Sequence, residues 1–403
     1  MKKISLLRNS IQEYAWGSKT FIPHLLGEPA PSRNPQAELW MGAHPKAVSR
    51  VIGDDKEMEL SEWIQEDPFG VLGAGTAEKF SHQLPFLFKV LASQKPLSIQ
   101  AHPNKEQASK GFDTENRMNI PLDADNRNYK DDNHKPELIC ALEPFTALKG
   151  FRDISEIISL MGLTGIPAQE LGIDILANLP DHEGLRLFFH HLMSIPKDLQ
   201  SRIINRTLVH LDKQPTEIDP AIEWIFRLHE EYPGDMGVLS PLFLNLIQLQ
   251  PQEAMFIRAG ELHAYLEGVG LEIMANSDNV LRGGLTPKHV DVPELCGILK
   301  FEPGPISILN PEFDAFNEGF YRTPAEEFTL SIISLRQGIP YDGDSNRSVE
   351  IIICMKGDAR IKDLKKGTSL SLSKGVSIII PAAVKQYRIE GEATVYKAGV
   401  PLQ

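Results

Sequence analysis

Residues 153–232 are helix-periodic, and the chain on either side of them is not. Asp153-Ile154-Ser155-Glu156-Ile157-Ile158-Ser159-Leu160 opens on a capping residue. Leu185–Ile195, Leu199–Leu211 and Ile218–His229 then repeat apolar residues at spacings of three and four. A block of about 80 residues matches a small domain in size. On both sides of it the apolar runs are short and end at Gly, Pro or Asn, as strands do. From about 320 to 403 such runs recur: Phe328–Leu335, Val349–Met355, Ala359–Ile361, Ser369–Leu372, Ser377–Ile380 and Ala393–Lys397. Regular short strands separated by Gly, Asp and Pro predict a sandwich or jelly roll. The chain therefore divides into a discontinuous β unit (1–152 and 241–319), an all-α insertion (153–240) and a histidine-free second β unit (320–403).

A chain of 403 residues with three widely spaced cysteines (Cys140, Cys296, Cys354) suits a cytoplasmic protein with reduced thiols in apolar strands. No run of 18 apolar residues is present, and Met1-Lys2-Lys3 is not followed by a long apolar segment, so neither a membrane span nor a signal peptide is expected. A formal net charge of −13 argues against nucleic acid and anionic membranes as partners. It also means that an anionic substrate needs a local cluster of cations.

Leu97-Ser98-Ile99-Gln100-Ala101-His102-Pro103 alternates apolar and polar residues, so it reads as a strand with Ser98, Gln100 and His102 on one face, ended by Pro103. The following stretch, 104–133, reads as a polar loop. His134-Lys135-Pro136-Glu137-Leu138-Ile139-Cys140 opens another strand, with Lys135 and Glu137 on one face. His263 and Tyr265 share a face in Gly260–Gly268, and Gly270–Gly284 packs Glu272, Asn276, Asp278, Asn279 and Arg282 beside apolar residues. Gln100, His102, Glu137 and His263 form a mixed N/O donor set suited to one divalent metal, zinc foremost. Lys89, within the apolar run 85–92, needs a partner, because an unpaired buried ammonium is costly. Lys89, Ser98, Lys135, Arg282 and Lys288 supply enough cations and donors to hold a phosphate. Trp16 and Trp40 read as core or pocket-wall aromatics. Leu60–Asp67 reads as a short helix capped by Ser61, and Pro241–Leu249 as a strand.

The segments LSIQAHPNK, DDNHKPEL, GELHAYL and LEIMANSDNVLRGGLTPK, in that order, resemble the type I phosphomannose isomerases. The likeness extends to YAWG, AELWMGAHP, LPFLFKVL and the C-terminal strands, and is thinnest in the helical block. It implies two cupin-type jelly-roll barrels plus an all-α insertion, the first barrel catalytic and the second without metal. It implies one Zn2+ per chain on Gln100, His102, Glu137 and His263, and a monomer. The activity implied is interconversion of mannose 6-phosphate and fructose 6-phosphate through a cis-enediolate. Arg282 and Glu272 fall on active-site positions, Lys89, Ser98 and Lys288 on phosphate-binding ones, and His134 and Lys135 on positions tied to proton handling or ring opening. Trp16 and Tyr265 would wall the pocket. The family usually has alanine where this chain has Gly283. The competing reading is a non-enzymatic metal-binding double cupin that senses sugar phosphates; it leaves the Glu272/Arg282/Lys135 set without a purpose. A metal-dependent oxygenase would prefer a three-ligand facial triad, against which Gln100 stands.

Overall fold

The computed structural model describes residues 2–53, 56–213 and 219–402; the expected helix start at Ile218 and the terminal Met1 lie outside them. The fold is mostly β with a helical insertion. Its site-bearing sheet is organised around the 13-residue strand His263–Ala275. Thirteen residues are needed because this strand pairs with four others. Along one edge it takes Phe86–Ser93, with Glu272 opposite Lys89. Along the other it takes Glu137–Ala141, with Met274 opposite Glu137, and Phe145–Phe151, with His263 opposite Lys149. At its start His263 lies opposite Gln100, which in turn lies opposite Arg282. Glu38–Gly42 extends the sheet, Trp40 facing Lys89. Because opposite residues on paired strands share a face, two cross-strand rows arise: Trp40–Lys89–Glu272, and His263–Gln100–Arg282.

A second sheet is built from Glu312–Phe313, Glu318–Tyr321, Thr329–Leu335, Tyr387–Gly399, Glu350–Asp363 and Ser377–Ile380, continued by Ser5–Arg8, Arg50–Ile52 and Glu57–Glu59. The N-terminal strand thus pairs with the C-terminal part of the chain, Ser5 opposite Ile379. One apolar core joins the two sheets, with Phe88, Val90 and Ile273 from the first packed with Phe328, Ile332 and Ile351 from the second.

The helical block holds Ile154–Gly162, Ala168–Leu171, Ile173–Asn178, His182–Met193, Lys197–Leu211 and Pro220–Glu231. Its core of Phe188, Phe189, Leu192 and Ile225 is continuous with Ile99, Leu262, Leu281 and Leu285 of the first sheet and its loops. No helix among the described residues is long and apolar enough to cross a membrane.

Several local expectations are corrected. The loop expected over 104–133 contains a helix, Lys105–Arg117, opened by a capping box in which Asn104 and Gln107 bond each other's backbone. The strand expected from Leu97 is ladder-paired only at Gln100–Ala101; Leu97 and Ile99 donate instead to Tyr265 and Gly284 carbonyls. The helix at Leu60–Glu66 begins before Ser61 and has no side-chain cap. Pro241 sits in a 3-10 helix, Met236–Leu242, and the strand starts at Leu244. The two expected strands Val349–Met355 and Ala359–Ile361 are one, Glu350–Asp363. Cys296 lies in a helix, Val292–Ile298, rather than a strand; all three thiols are free.

Candidate metal centre and active site

His102, Glu137 and His263 are fully buried or nearly so, and one donor atom from each lies within 4.8 Å of the others. His102 Nε2 is 3.2 Å from Glu137 Oε1, and His263 Nε2 is 3.3 Å from Glu137 Oε2. The other ring nitrogens are committed: Nδ1–H of His102 donates to the Asn279 carbonyl at 2.7 Å, and Nδ1–H of His263 to the Glu261 carbonyl at 3.1 Å. Both imidazoles therefore present the Nε2 lone pair to the same point. Gln100 places its amide 3.2 Å from His263 Nε2; rotation of that amide about its terminal bond brings oxygen in place of nitrogen. The set fits a metal ion by a direct test. His102 Nε2 and Glu137 Oε2 are buried without a hydrogen-bond partner among the described residues, a cost that a cation removes.

Charge states suit the same purpose. Burial holds the His102 imidazole down to about 4, so it is neutral and able to ligate. Burial alone would raise the Glu137 carboxyl, but Lys135 and His102 outweigh it and hold it well below the usual range. Lys135 sits 2.9 Å from Glu137, the shared face expected for those two residues.

Beside the ligands lies a pocket of about 550 Å³. Trp16, Lys89, Ser98, Gln100, Lys135, Glu137, Tyr265, Glu272, Arg282 and Lys288 all line it. Lys89 has found its partners: Nζ is 2.7 Å from Glu272 and 3.7 Å from Glu38, and it lies over the Trp40 ring. Burial lowers its pKa, but the two carboxylates more than reverse this, so it stays an ammonium. The Tyr265 hydroxyl donates to the other oxygen of Glu272 at 3.0 Å. At the opposite end burial lowers the Arg282 pKa, and the Arg282 charge, foremost, pulls down that of Lys288. Two cations close enough to disfavour each other make a site for an anion. His134 is set apart: its Nε2 is 2.6 Å from Glu327, a residue of the second β unit.

Glu38, His44, Lys46, Arg127, Lys130 and Asp278 also line the pocket, and sequence reasoning assigned none of them a role. For Glu38 a cue existed, since it lies two residues from Trp40 on the same strand face and accepts that indole's N–H. Arg127 and Lys130 arrive from the stretch read as a loop. Asn279 is the other omission. Its carbonyl orients His102, while its side chain bonds Lys130 N and the Asp131 and Asn133 carbonyls. Gly283 is tight rather than free: a Cβ there would come 3.1 Å from Leu262 and 3.3 Å from Ile99 and Leu295.

Comparison with known proteins bears on this geometry over the whole chain. Residues 4–154 match the catalytic domain of type I phosphomannose isomerase, 166–244 its helical insertion domain, and 317–398 the cupin domain of mannose-6-phosphate isomerase. Mannose-6-phosphate isomerase of Escherichia coli K12 is 43% identical over 387 residues, 96% of each chain. The enzyme of Bos taurus is 34% identical over 92% of each chain. A crystal structure of a phosphomannose isomerase mutant from Salmonella typhimurium superposes with a TM-score of 0.92 at 40% identity, covering both chains fully. A zinc-bound mannose 6-phosphate isomerase gives 0.91 at 40% identity, again with full coverage. Sequence motifs, strand register and overall superposition agree: this chain belongs to the type I phosphomannose isomerase family.

Proposed function

We propose that the protein is a zinc-dependent aldose–ketose isomerase that interconverts mannose 6-phosphate and fructose 6-phosphate through a cis-enediolate. The observation that carries this reading is the juxtaposition of two unpaired buried donors, His102 Nε2 and Glu137 Oε2, with Lys135, Glu272 and Arg282 in one pocket. His102, Glu137 and His263, with Gln100 as the fourth ligand, would hold the zinc; when bound it supplies a Lewis acid beside the sugar oxygens. The family relationship supports the same assignment.

The reaction moves a carbonyl from C1 to C2. A base removes the C2 proton to leave an enediolate, the hydroxyl proton moves from O2 to O1, and a proton is returned to C1 as the C2–O bond becomes a carbonyl. Arg282, half-buried and unpaired among the described residues, stabilises the charge that develops on O1 and O2, where a preorganised cation contributes most. Two pocket-facing groups can carry the proton from C2 to C1, Glu272 and Lys135. His134 bonds Glu327 instead, which favours the other two. Lys288 and Ser98 would hold the phosphate at the Arg282 end. Lys89, clamped between Glu272 and Glu38, would act through Glu272 rather than as a free anion ligand.

We read the two sheets as two cupin-type jelly rolls, the second without metal. Strand order and the cupin-domain match over 317–398 support this. A cytoplasmic monomer acting on a small sugar phosphate fits three free thiols and the net charge of −13. The test is to incubate purified, zinc-loaded protein with mannose 6-phosphate and assay fructose 6-phosphate. Turnover is expected; binding without turnover would favour the sensor reading.

A further inference from the structure

The chain after Arg282 runs through an unusual turn. Gly284 has φ +122° and the non-glycine Leu285 has φ +51°, a backbone that persists only where its surroundings hold it. Thr286, Pro287 and Lys288 line the active-site pocket on one side. The same three residues line a second cavity of about 390 Å³ on the other. The turn is therefore a thin wall between two open spaces, and packing alone does not fix it. Two things do. The Leu285 side chain is buried in the helical-block core. Asp235, which follows the helix Pro220–Glu231, reaches across: Oδ1 accepts the Leu285 N–H at 3.0 Å and Oδ2 the Thr286 N–H at 3.1 Å.

Asp235 also begins the 3-10 helix Met236–Leu242, its Oδ1 accepting from Gly237 N–H at 2.7 Å. Capping needs only that bond. The other two leave the element and end on the turn.

We propose that Asp235 is a positioning residue for the anion-binding end of the pocket, through which the helical insertion sets where Lys288 stands. It touches no substrate and acts on the backbone that follows Arg282. This inference rests on the reading that Lys288 takes the substrate phosphate. It gives the insertion a task at the active site.

The test uses zinc-loaded wild-type protein, Asp235→Ala and Asp235→Asn. kcat and KM are measured for mannose 6-phosphate, together with the inhibition constant of inorganic phosphate and the zinc content. Asp235→Ala is expected to raise both KM and the phosphate inhibition constant about tenfold, equivalent to about 1.4 kcal/mol. kcat should change less than about threefold, with zinc content unchanged. Asp235→Asn keeps the doubly used oxygen and loses only the acceptor for Thr286, so its effect should be intermediate, and it serves if Asp235→Ala does not fold. Unchanged KM and phosphate inhibition in a folded variant would overturn the proposal, as would a loss confined to kcat or to melting temperature, the signature of a helix cap alone. Wild-type protein that neither turns over mannose 6-phosphate nor binds phosphate would instead sink the functional reading.

Discussion

Each sheet buries one lysine between two glutamates, with a tyrosine bonded to one of them. In the first, Lys89 lies 2.7 Å from Glu272 and 3.7 Å from Glu38, and Tyr265 donates to Glu272. In the second, Lys397 lies 2.7 Å from Glu318 and 3.4 Å from Glu350, and Tyr341 donates to Glu318. The clusters look alike and are not equivalent. Around Lys397 the charges balance, because Arg347 stands 3.4 Å from Glu350. Ser331 and Tyr387 occupy further carboxylate oxygens there. Around Lys89 one ammonium faces two carboxylates, the cluster walls a pocket of about 550 Å³, and unpaired donors lie on neighbouring strands. A buried ion cluster is therefore no evidence of a site. Imbalance, an open wall and unsatisfied atoms are.

That contrast can be broken most directly by removing each lysine. Lys397→Met should destabilise the fold by about 3–5 kcal/mol, the usual cost of stranding buried carboxylates. The protein that remains folded should keep normal KM and zinc stoichiometry. Lys89→Met should lose activity well beyond its loss of stability, measured as kcat per folded molecule. Equal kinetic effects would erase the distinction between the clusters.

Arg282→Ala sharpens the comparison from the other end of the pocket. Turnover should fall about 10²–10³-fold, as when a preorganised charge-stabilising donor is deleted, while zinc analysis finds the metal retained. Near-normal turnover would remove Arg282 from the mechanism.

The metal centre should also confer an acid sensitivity. In the folded, metal-free protein burial holds His102 at about 4; unfolded, it titrates near 6.5. Between those values the unfolded state binds more protons, so stability falls as pH is lowered from about 6.5 toward 4. Glu137, held below its usual range, adds a loss as pH drops through its unfolded value. Melting curves of chelator-treated protein should shift down over that window, and His102→Gln should flatten the shift. The smallest effect is expected for Gly283→Ala. Its Cβ would come 3.1 Å from Leu262 and 3.3 Å from Ile99 and Leu295, side-chain atoms that need to shift by only a few tenths of an ångström. Activity should change less than about twofold.

The sequence alone located the parts. Alternation at Ser98–Gln100–His102, the His134–Glu137 run and the three-and-four spacing over 153–232 are local patterns, and local sterics decide them, so the ligand candidates and the helical insertion were readable. It also required a partner for Lys89, since burial of an ammonium is costly wherever it occurs. Register was not readable. Which residue stands opposite Glu272 depends on how a 13-residue strand meets four others, and a pairing shift of one residue reverses every face. Hence the roles of Asn279 and Asp235, and the setting of His134 against Glu327 rather than toward the pocket, emerged only from tertiary structure. Each depends on groups far apart in the chain: 177 positions separate His102 from Asn279, and 193 separate His134 from Glu327. The helix Lys105–Arg117 is the reverse case. Its capping box was present in the sequence, but few of its side chains are buried, so it lacks the apolar stripe by which a helix is recognised.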